Sequence, residues 1–243
     1  MIEARGLSKR FGTVSALREL SFCAADSRIT GLLGPNGAGK STTLRILQTL
    51  ISADAGTALI DGHSTLADPL AARSRIGVLP HSAAIYAGLT ARENITYFGR
   101  LCGLSRAAAA ARATTLIDQL DIGDIADRRA KGFSQGQRLK TALARAMVHE
   151  PRNLMLDEPT NGLDVPSVRM LRTLLGQLRD AGHCILFSSH VMHEVASLCD
   201  DIVVIASGRV VATGTPEALL TQTGAADLED AFVQLTSDSG SAA

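Results

Sequence analysis

Tryptophan is absent from this 243-residue chain, and two tyrosines and six phenylalanines make up its whole aromatic complement. Proteins that grip single-stranded nucleic acid stack bases on aromatic rings, so this poverty counts against that class. An excess of either charge is missing too. The 24 Lys and Arg side chains meet 24 Asp and Glu, which leaves no overall positive field for nucleic acid or anionic lipid. No stretch reaches the roughly 20 apolar residues that span a bilayer, and the opening MIEARGLSKRFG is charged where a signal peptide would be apolar. The expectation is a cytosolic chain. Cys23, Cys102, Cys184 and Cys199 are widely separated, with no C-x-x-C pair. That spacing argues against a zinc site or redox motif and predicts reduced thiols acting as small apolar side chains.

What is present begins with an apolar share of 46%, ample for a buried core in one large or two small domains. Apolar runs recur at Ile29 to Leu33, Ile76 to Leu79, Leu154 to Leu156, Cys184 to Phe187 and Ile202 to Ile205, the rhythm of α/β layering. Continuous runs suit parallel strands buried on both faces. The segments Ile2 to Phe22 and Thr57 to Ile60 are more mixed and predict a smaller antiparallel portion. From His81 to Glu150 the character turns helical: Thr90 and Glu93 fit a capping box, and the alanine-rich Ser105 to Leu120 favours helix. Residues 84–150 therefore read as a helical insertion. Leu171, Leu175 and Leu178 form a core stripe at helical spacing, with Gly182 as the stop. Thr215 and Pro216 open a short helix through Leu220, LEDAFVQLT suggests another, and the closing SDSGSAA should fray.

The most informative stretch is GPNGAGKST, where Gly34, Pro35, Asn36, Gly37, Ala38, Gly39, Lys40, Ser41 and Thr42 join the first apolar run to the helix-like TTLRILQTL. Glycines 34, 37 and 39 let the backbone curl so that its N–H groups point inward, and the following helix aims the positive end of its dipole at the same spot. Lys40 would reach the β- and γ-phosphates of a nucleotide, and Ser41 a magnesium ion.

A second signal is LMLDEP, read as a strand that delivers Asp157 and Glu158 to the carboxyl edge of a sheet, where ligands of open α/β folds bind. Asp157 would hold magnesium through water and Glu158 would polarise an attacking water. In CILFSSH, His190 lies just past another strand, within reach of the γ-phosphate region; by itself a histidine there is more often structural.

The order of these motifs resembles the ATP-binding subunits of ABC transporters over nearly the whole chain. GPNGAGKST is similar to that family's Walker A, LMLDEP to its Walker B with catalytic glutamate, NGLD (Asn161 to Asp164) to its D-loop, and His190 to its switch histidine. FSQGQ, Phe133 to Gln137, resembles the signature motif that sets the family apart from other P-loop ATPases. The resemblance implies an α/β P-loop fold with a RecA-like core over residues 1–223, a small antiparallel portion, the inserted helical subdomain, and a short carboxyl-terminal helix and tail over 224–243. It also implies a head-to-tail dimer, in which Ser134, Gly136 and Gln137 of one subunit, with Asp164 nearby, close over ATP and Mg2+ held by the other. Ser134 equally suits the local task of capping the helix that follows. Phe11 is similar in position to the aromatic that stacks on adenine; a buried strand phenylalanine would look the same in sequence.

Three positions depart from the family pattern, among them Phe133, where the signature usually carries a leucine. His81 stands where a glutamine usually touches magnesium, so it is a metal candidate by position, although imidazole prefers softer ions than Mg2+. Gln135 replaces a glycine of the signature, and its bulk is expected to alter how closely that motif approaches ATP. The segments from His183 to Val211 and at LEDAFVQLT look most like the sodium-efflux ATPases of the NatA type, which serve ABC-2 permeases.

The resemblance thus implies an ATPase on the cytoplasmic face of a membrane, working as a dimer of identical subunits that powers export through a separate permease. A soluble ABC-type ATPase for protein assembly, DNA repair or ribosome action is the alternative of a different class. The single cassette, the lack of a long coiled coil and the lack of a zinc-like cysteine set disfavour the last two. An ordinary nucleotide kinase leaves FSQGQ and NGLD unexplained.

Overall fold

Alternating burial starts the chain in the computed structural model, which describes residues 1–82 and 85–237. Strands β1 (Ile2–Phe11) and β2 (Val14–Ala24) form an antiparallel hairpin in which Ile2 pairs with Ala24 and Phe11 with Val14. Ile2, Ala4, Leu7, Leu17 and Leu20 are buried. After β3 (Arg28–Leu33) and α1 (Lys40–Leu47), β4 (Ala55–Ile60) pairs with β1, and β5 (His63–Ser64) completes an antiparallel sheet of order β2-β1-β4-β5. Helix α2 (Pro69–Ser74) then leads to β6 (Ile76–Leu79). Helices α3 (Ala91–Leu101), α4 (Arg106–Gln119) and α5 (Gln135–Met147) follow before the chain returns to strand.

The return is β7 (Asn153–Asp157), succeeded by α6 (Val165–Asp180), β8 (Cys184–Ser189), α7 (Met192–Leu198), β9 (Asp201–Ala206) and β10 (Arg209–Gly214). Helices α8 (Pro216–Thr223) and α9 (Leu228–Ser237) close the described part. The expected fraying of the last residues falls on 238–243, outside the described residues. The larger sheet has order β10-β9-β3-β8-β7-β6, parallel except for β10, which pairs antiparallel with β9 at the edge.

The continuous apolar runs have a physical cause, because both faces of this sheet are covered. Ile29, Leu33, Leu154, Leu156, Ile185, Phe187, Ile202 and Val204 face a core shared with α5 and α6. Leu32, Met155, Leu186, Val203 and Ile205 point the other way, into a core shared with the antiparallel sheet and α1. The local signals also materialise. Thr90 and Glu93 exchange both bonds of a capping box at α3, Ser105 caps α4, and Thr215 with Pro216 starts α8. All four cysteines are free; Cys184 and Cys199 are buried, and burial pushes the Cys184 thiol up to about 12. Cys23 and Cys102 are exposed instead, a correction to the expectation that all four act as packing residues.

His149, just beyond α5, sets an acid limit on this fold. Its Nε2 lies 3.1 Å from the Ile76 carbonyl and donates to it, while the buried Nδ1 has no hydrogen-bond partner among the described residues. Desolvation lowers the imidazole from its ordinary 6.5, against the opposing pull of the Ile76 bond. As pH falls below 6.5 the unfolded chain takes up the proton first, so stability is lost through the window down to the depressed folded value. Denaturant titrations at about pH 7 and about pH 5 should show this loss, and His149→Gln, which keeps a donor for Ile76 but does not titrate, should flatten it.

Candidate active site

The turn from β3 into α1 admits glycine for steric reasons at two points. A Cβ on Gly34 would lie 2.3 Å from the Ile205 carbonyl oxygen. Gly39 has φ +113°, and a Cβ there would meet the Leu17 side chain at 2.7 Å and the Ala16 carbonyl at 2.9 Å. The loop is braced from behind: Gly208 donates its N–H to the Ala38 carbonyl at 2.9 Å and accepts from Arg18 N–H at 2.9 Å. At the mouth, α1 has no side-chain cap, so its first N–H groups stay available to an anion.

Lys40 is buried, with its ammonium donating to the carbonyls of Gly34 and Pro35. Burial lowers its pKa from the ordinary 10.5, and the negative charges of Glu158 and Asp157 oppose that shift. The same acids close the other side of the cleft. Asp157 ends β7 and accepts a 2.7 Å bond from Ser188 Oγ, while the Glu158 N–H is shared between Ser188 O at 3.0 Å and Ser188 Oγ at 3.1 Å. Glu158 has φ +48°, a left-handed conformation that costs a non-glycine residue energy and that these bonds help to hold. Its Oε2 is 3.1 Å from His190 Nδ1 and 3.7 Å from His81 Nδ1. Asn36, Ser41, His81, Asp157 and Glu158 therefore line one cleft.

Ser41 and Asp157 offer hard oxygen donors, the chemistry that magnesium takes. Among the described residues no group of three or more His, Cys, Asp or Glu side chains is arranged to hold a metal.

The signature-like residues divide: Phe133 and Gln135 line a pocket with His81 and Glu158, whereas Ser134, Gly136 and Gln137 face away from the glycine loop. Ser134 and Gln137 exchange reciprocal cap bonds at the start of α5, 3.2 Å from Gln137 N–H to Ser134 Oγ and 3.1 Å from Ser134 N–H to Gln137 Oε1. Ser134, Gly136 and Gln137 line a second cleft with Lys140, Pro166 and Ser167, and no residue of the glycine loop lines it. Gln135 turns toward its own chain: a Cβ at Gly162 would fall 2.6 Å from Gln135 Nε2. Asp164 caps α6, its carboxyl held below the usual range by hydrogen bonds from the Ser167 side chain and backbone. Phe11 is half exposed at the end of β1, with the Lys9 ammonium 5.6 Å from its ring centre, so it is not a core phenylalanine.

Ser188, Thr160 and Glu194 escaped sequence reasoning. The hydroxyl pair before His190 and the acid four residues after it were in view, but only strand pairing brings them against Asp157 and Glu158. Ser188 stands opposite Asp157 in the β7–β8 register.

A parallel sheet whose first βα turn is a glycine loop, with two acids delivered beside it, defines the chain as a P-loop ATPase. The family model described as ABC transporter matches residues 17–161, more than half of the chain, and the chain belongs to that family as an ATP-binding subunit. It is 40% identical to the ABC transporter ATP-binding protein NatA of Bacillus subtilis, over 96% of this chain and 97% of that protein. It is 41% identical to the daunorubicin/doxorubicin resistance ATP-binding protein DrrA of Streptomyces peucetius, over 92% of this chain and 68% of that one. A solved ATP-binding subunit of an ABC transporter superposes with a TM-score of 0.87 at 28% identity, covering 97% of this chain and 99% of that one.

The departure at His81 can be tested on its own. A glutamine there can still offer an N–H toward Glu158, so His81→Gln should keep ATP hydrolysis within about threefold of the native rate, a spread smaller than the loss of a general base. Steady-state phosphate release measures it. Complete loss of activity would show that the imidazole has a task an amide cannot fill.

Proposed function

We propose that this chain is the ATP-hydrolysing subunit of a two-component exporter. Two subunits, most simply two copies of this chain, pair head to tail around two ATP molecules. Ser134, Gly136 and Gln137 of one close over the nucleotide cradled by Gly34 to Thr42 of the other, with Asp164 at the same interface. Within each site Lys40 holds the β- and γ-phosphates, Ser41 and Asp157 hold Mg2+, Glu158 draws a proton from the attacking water, and His190 orients Glu158 toward the γ-phosphate. When bound, Mg2+ neutralises charge on the phosphates. Phe11 supplies a face for adenine.

The observation that carries this reading is the separation of the two clefts. The cap of α5 presents a helix amino terminus, suited to phosphate, to a surface that its own glycine loop does not line. A complementary subunit resolves the mismatch.

A membrane partner is the second component. Among the described residues no helix is long and apolar enough to cross a membrane, and transport then requires a separate permease that holds this chain on the cytoplasmic face. A surface for it is available beside the sheet: Tyr86, Tyr97 and Phe98 stack edge to face or tilted, and Tyr97 and Leu101 remain exposed next to a groove lined by Val78, Pro80 and Cys102. The cargo reading follows the relatives: sodium ions or another substrate of ABC-2 permeases. Co-expression with a polytopic membrane protein encoded beside it, followed by affinity capture and ATPase assays with and without sodium, tests the proposal. A stable complex with cargo-stimulated hydrolysis is expected. A chain that hydrolyses ATP but captures no membrane protein would point to a soluble role.

A further inference from the structure

Asp157 and Glu158 leave β7 in one turn, and His190 leaves β8 in the next. A single carboxylate joins these two turns. Glu194, in the first turn of α7, accepts a hydrogen bond through Oε2 from Thr160 Oγ1 and another, at 3.3 Å, from Ser189 Oγ. Thr160 is two residues past Glu158 and 8% exposed; Ser189 immediately precedes His190 and is 2% exposed. Ser189 Oγ also accepts the Val191 N–H at 3.0 Å, which leaves its proton directed to Glu194. Thus one oxygen ties down the chain just beyond the glutamate and just before the histidine.

We propose that Glu194 is a positioning residue for ATP hydrolysis, holding the turns of Glu158 and His190 in the register that brings their side chains to 3.1 Å. This rests on the reading of Glu158 as general base and His190 as its partner. Ser188 secures the upstream side of Glu158 through the Glu158 N–H. The downstream side has the Thr160 hydroxyl, and its acceptor is on another element altogether. With the Glu194 carboxylate gone, the buried Thr160 hydroxyl loses its partner, and the strained turn at φ +48° keeps only its local ties, the Glu158 N–H to Ser188 and the Asn161 N–H to the Glu158 carbonyl at 3.2 Å. Glu158 and His190 then move independently, which misaligns the base and water without disturbing the glycine loop that binds the nucleotide. Because both donors converge on one oxygen, the amide oxygen of a glutamine can take both bonds.

Steady-state hydrolysis of MgATP by the full chain tests this with Glu194→Ala, Glu194→Gln, Thr160→Val, Glu158→Gln and Ser197→Ala. Glu194→Ala should lower kcat about tenfold to 100-fold, the scale of a displacement near 1 Å, with KM for ATP within about twofold. Thr160→Val should lower kcat in the same sense by less. Glu194→Gln should recover most of the rate, a rescue that a charge-dependent role would not permit. Ser197→Ala should match the native chain, since its hydroxyl bonds the Glu194 backbone carbonyl at 3.0 Å and not the carboxylate.

Native kcat in Glu194→Ala would overturn the proposal, and so would a loss confined to KM or a Glu194→Gln variant as slow as the alanine. If Glu194→Ala does not fold, Thr160→Val decides, and native kcat there counts against the tie. Glu158→Gln separates the levels: normal turnover in it removes the reading of the base, whereas an inactive Glu158→Gln beside a normal Glu194→Ala removes the positioning role alone.

Discussion

Glu158→Gln will bind ATP and fail to turn it over, with kcat reduced roughly 10²- to 10⁴-fold, the range lost with a general base. The substitution preserves shape. A glutamine Oε1 can still face His190 Nδ1, which now lies 3.1 Å from Glu158 Oε2, and the backbone at φ +48° remains pinned by Ser188. What disappears is the capacity to accept a proton from water, because an amide has no useful basicity near neutral pH. Lys40, Ser41 and the N–H groups of the glycine loop are untouched, so affinity for ATP should hold.

Under the head-to-tail arrangement proposed above, blocked hydrolysis traps the closed state. Size-exclusion chromatography of Glu158→Gln with MgATP should show a dimer that the native chain forms only transiently, and phosphate release should be near background. Native turnover in this variant would remove Glu158 from its assigned role. A loss of ATP binding would mean that the carboxylate serves the nucleotide instead of the water.

How much of this site could be read in the sequence depends on how local each requirement is. The glycine loop was legible because its demands lie within nine residues: Gly34 and Gly39 are fixed by backbone approach, and Lys40 follows as the first residue of α1. The core strands were legible because burial on both faces turns them into unbroken apolar runs. Strand β10 was not assigned, since RVVATG lies at the sheet edge with partly exposed residues and carries no clear period. The tie from Glu194 to Thr160 was invisible for a different reason: its partners are separated by 34 residues and meet only because β7 and β8 pair in parallel. Gln135 was read as a potential obstacle at the signature. Its amide lies against Gly162, a contact that depends on how α5 packs beside the loop before α6.

Lys40 offers the second large effect, and its two consequences have opposite signs. Lys40→Ala should abolish nucleotide binding or reduce turnover by about 10²- to 10³-fold, because a preorganised cation aimed at transferring phosphoryl oxygens is worth that much in a water-poor site. Stability should not follow activity. The ammonium is buried, and desolvation depresses it from 10.5 despite the charges of Glu158 and Asp157. Between that depressed value and 10.5 the unfolded chain holds a proton that the folded chain does not, so stability from this group rises with pH there. At neutral pH the folded state therefore carries the full cost of burying the charge. A variant that keeps the bulk without the charge, Lys40→Met, should melt no lower than the native chain when no nucleotide is added, while losing the thermal shift that MgATP gives the native chain. Normal ATPase activity in Lys40→Ala would count heavily against the glycine loop as the phosphate site. A clear drop in the nucleotide-free melting temperature of Lys40→Met would instead show that the bonds to Gly34 and Pro35 outweigh desolvation, making the lysine a structural strut as well as a phosphate ligand.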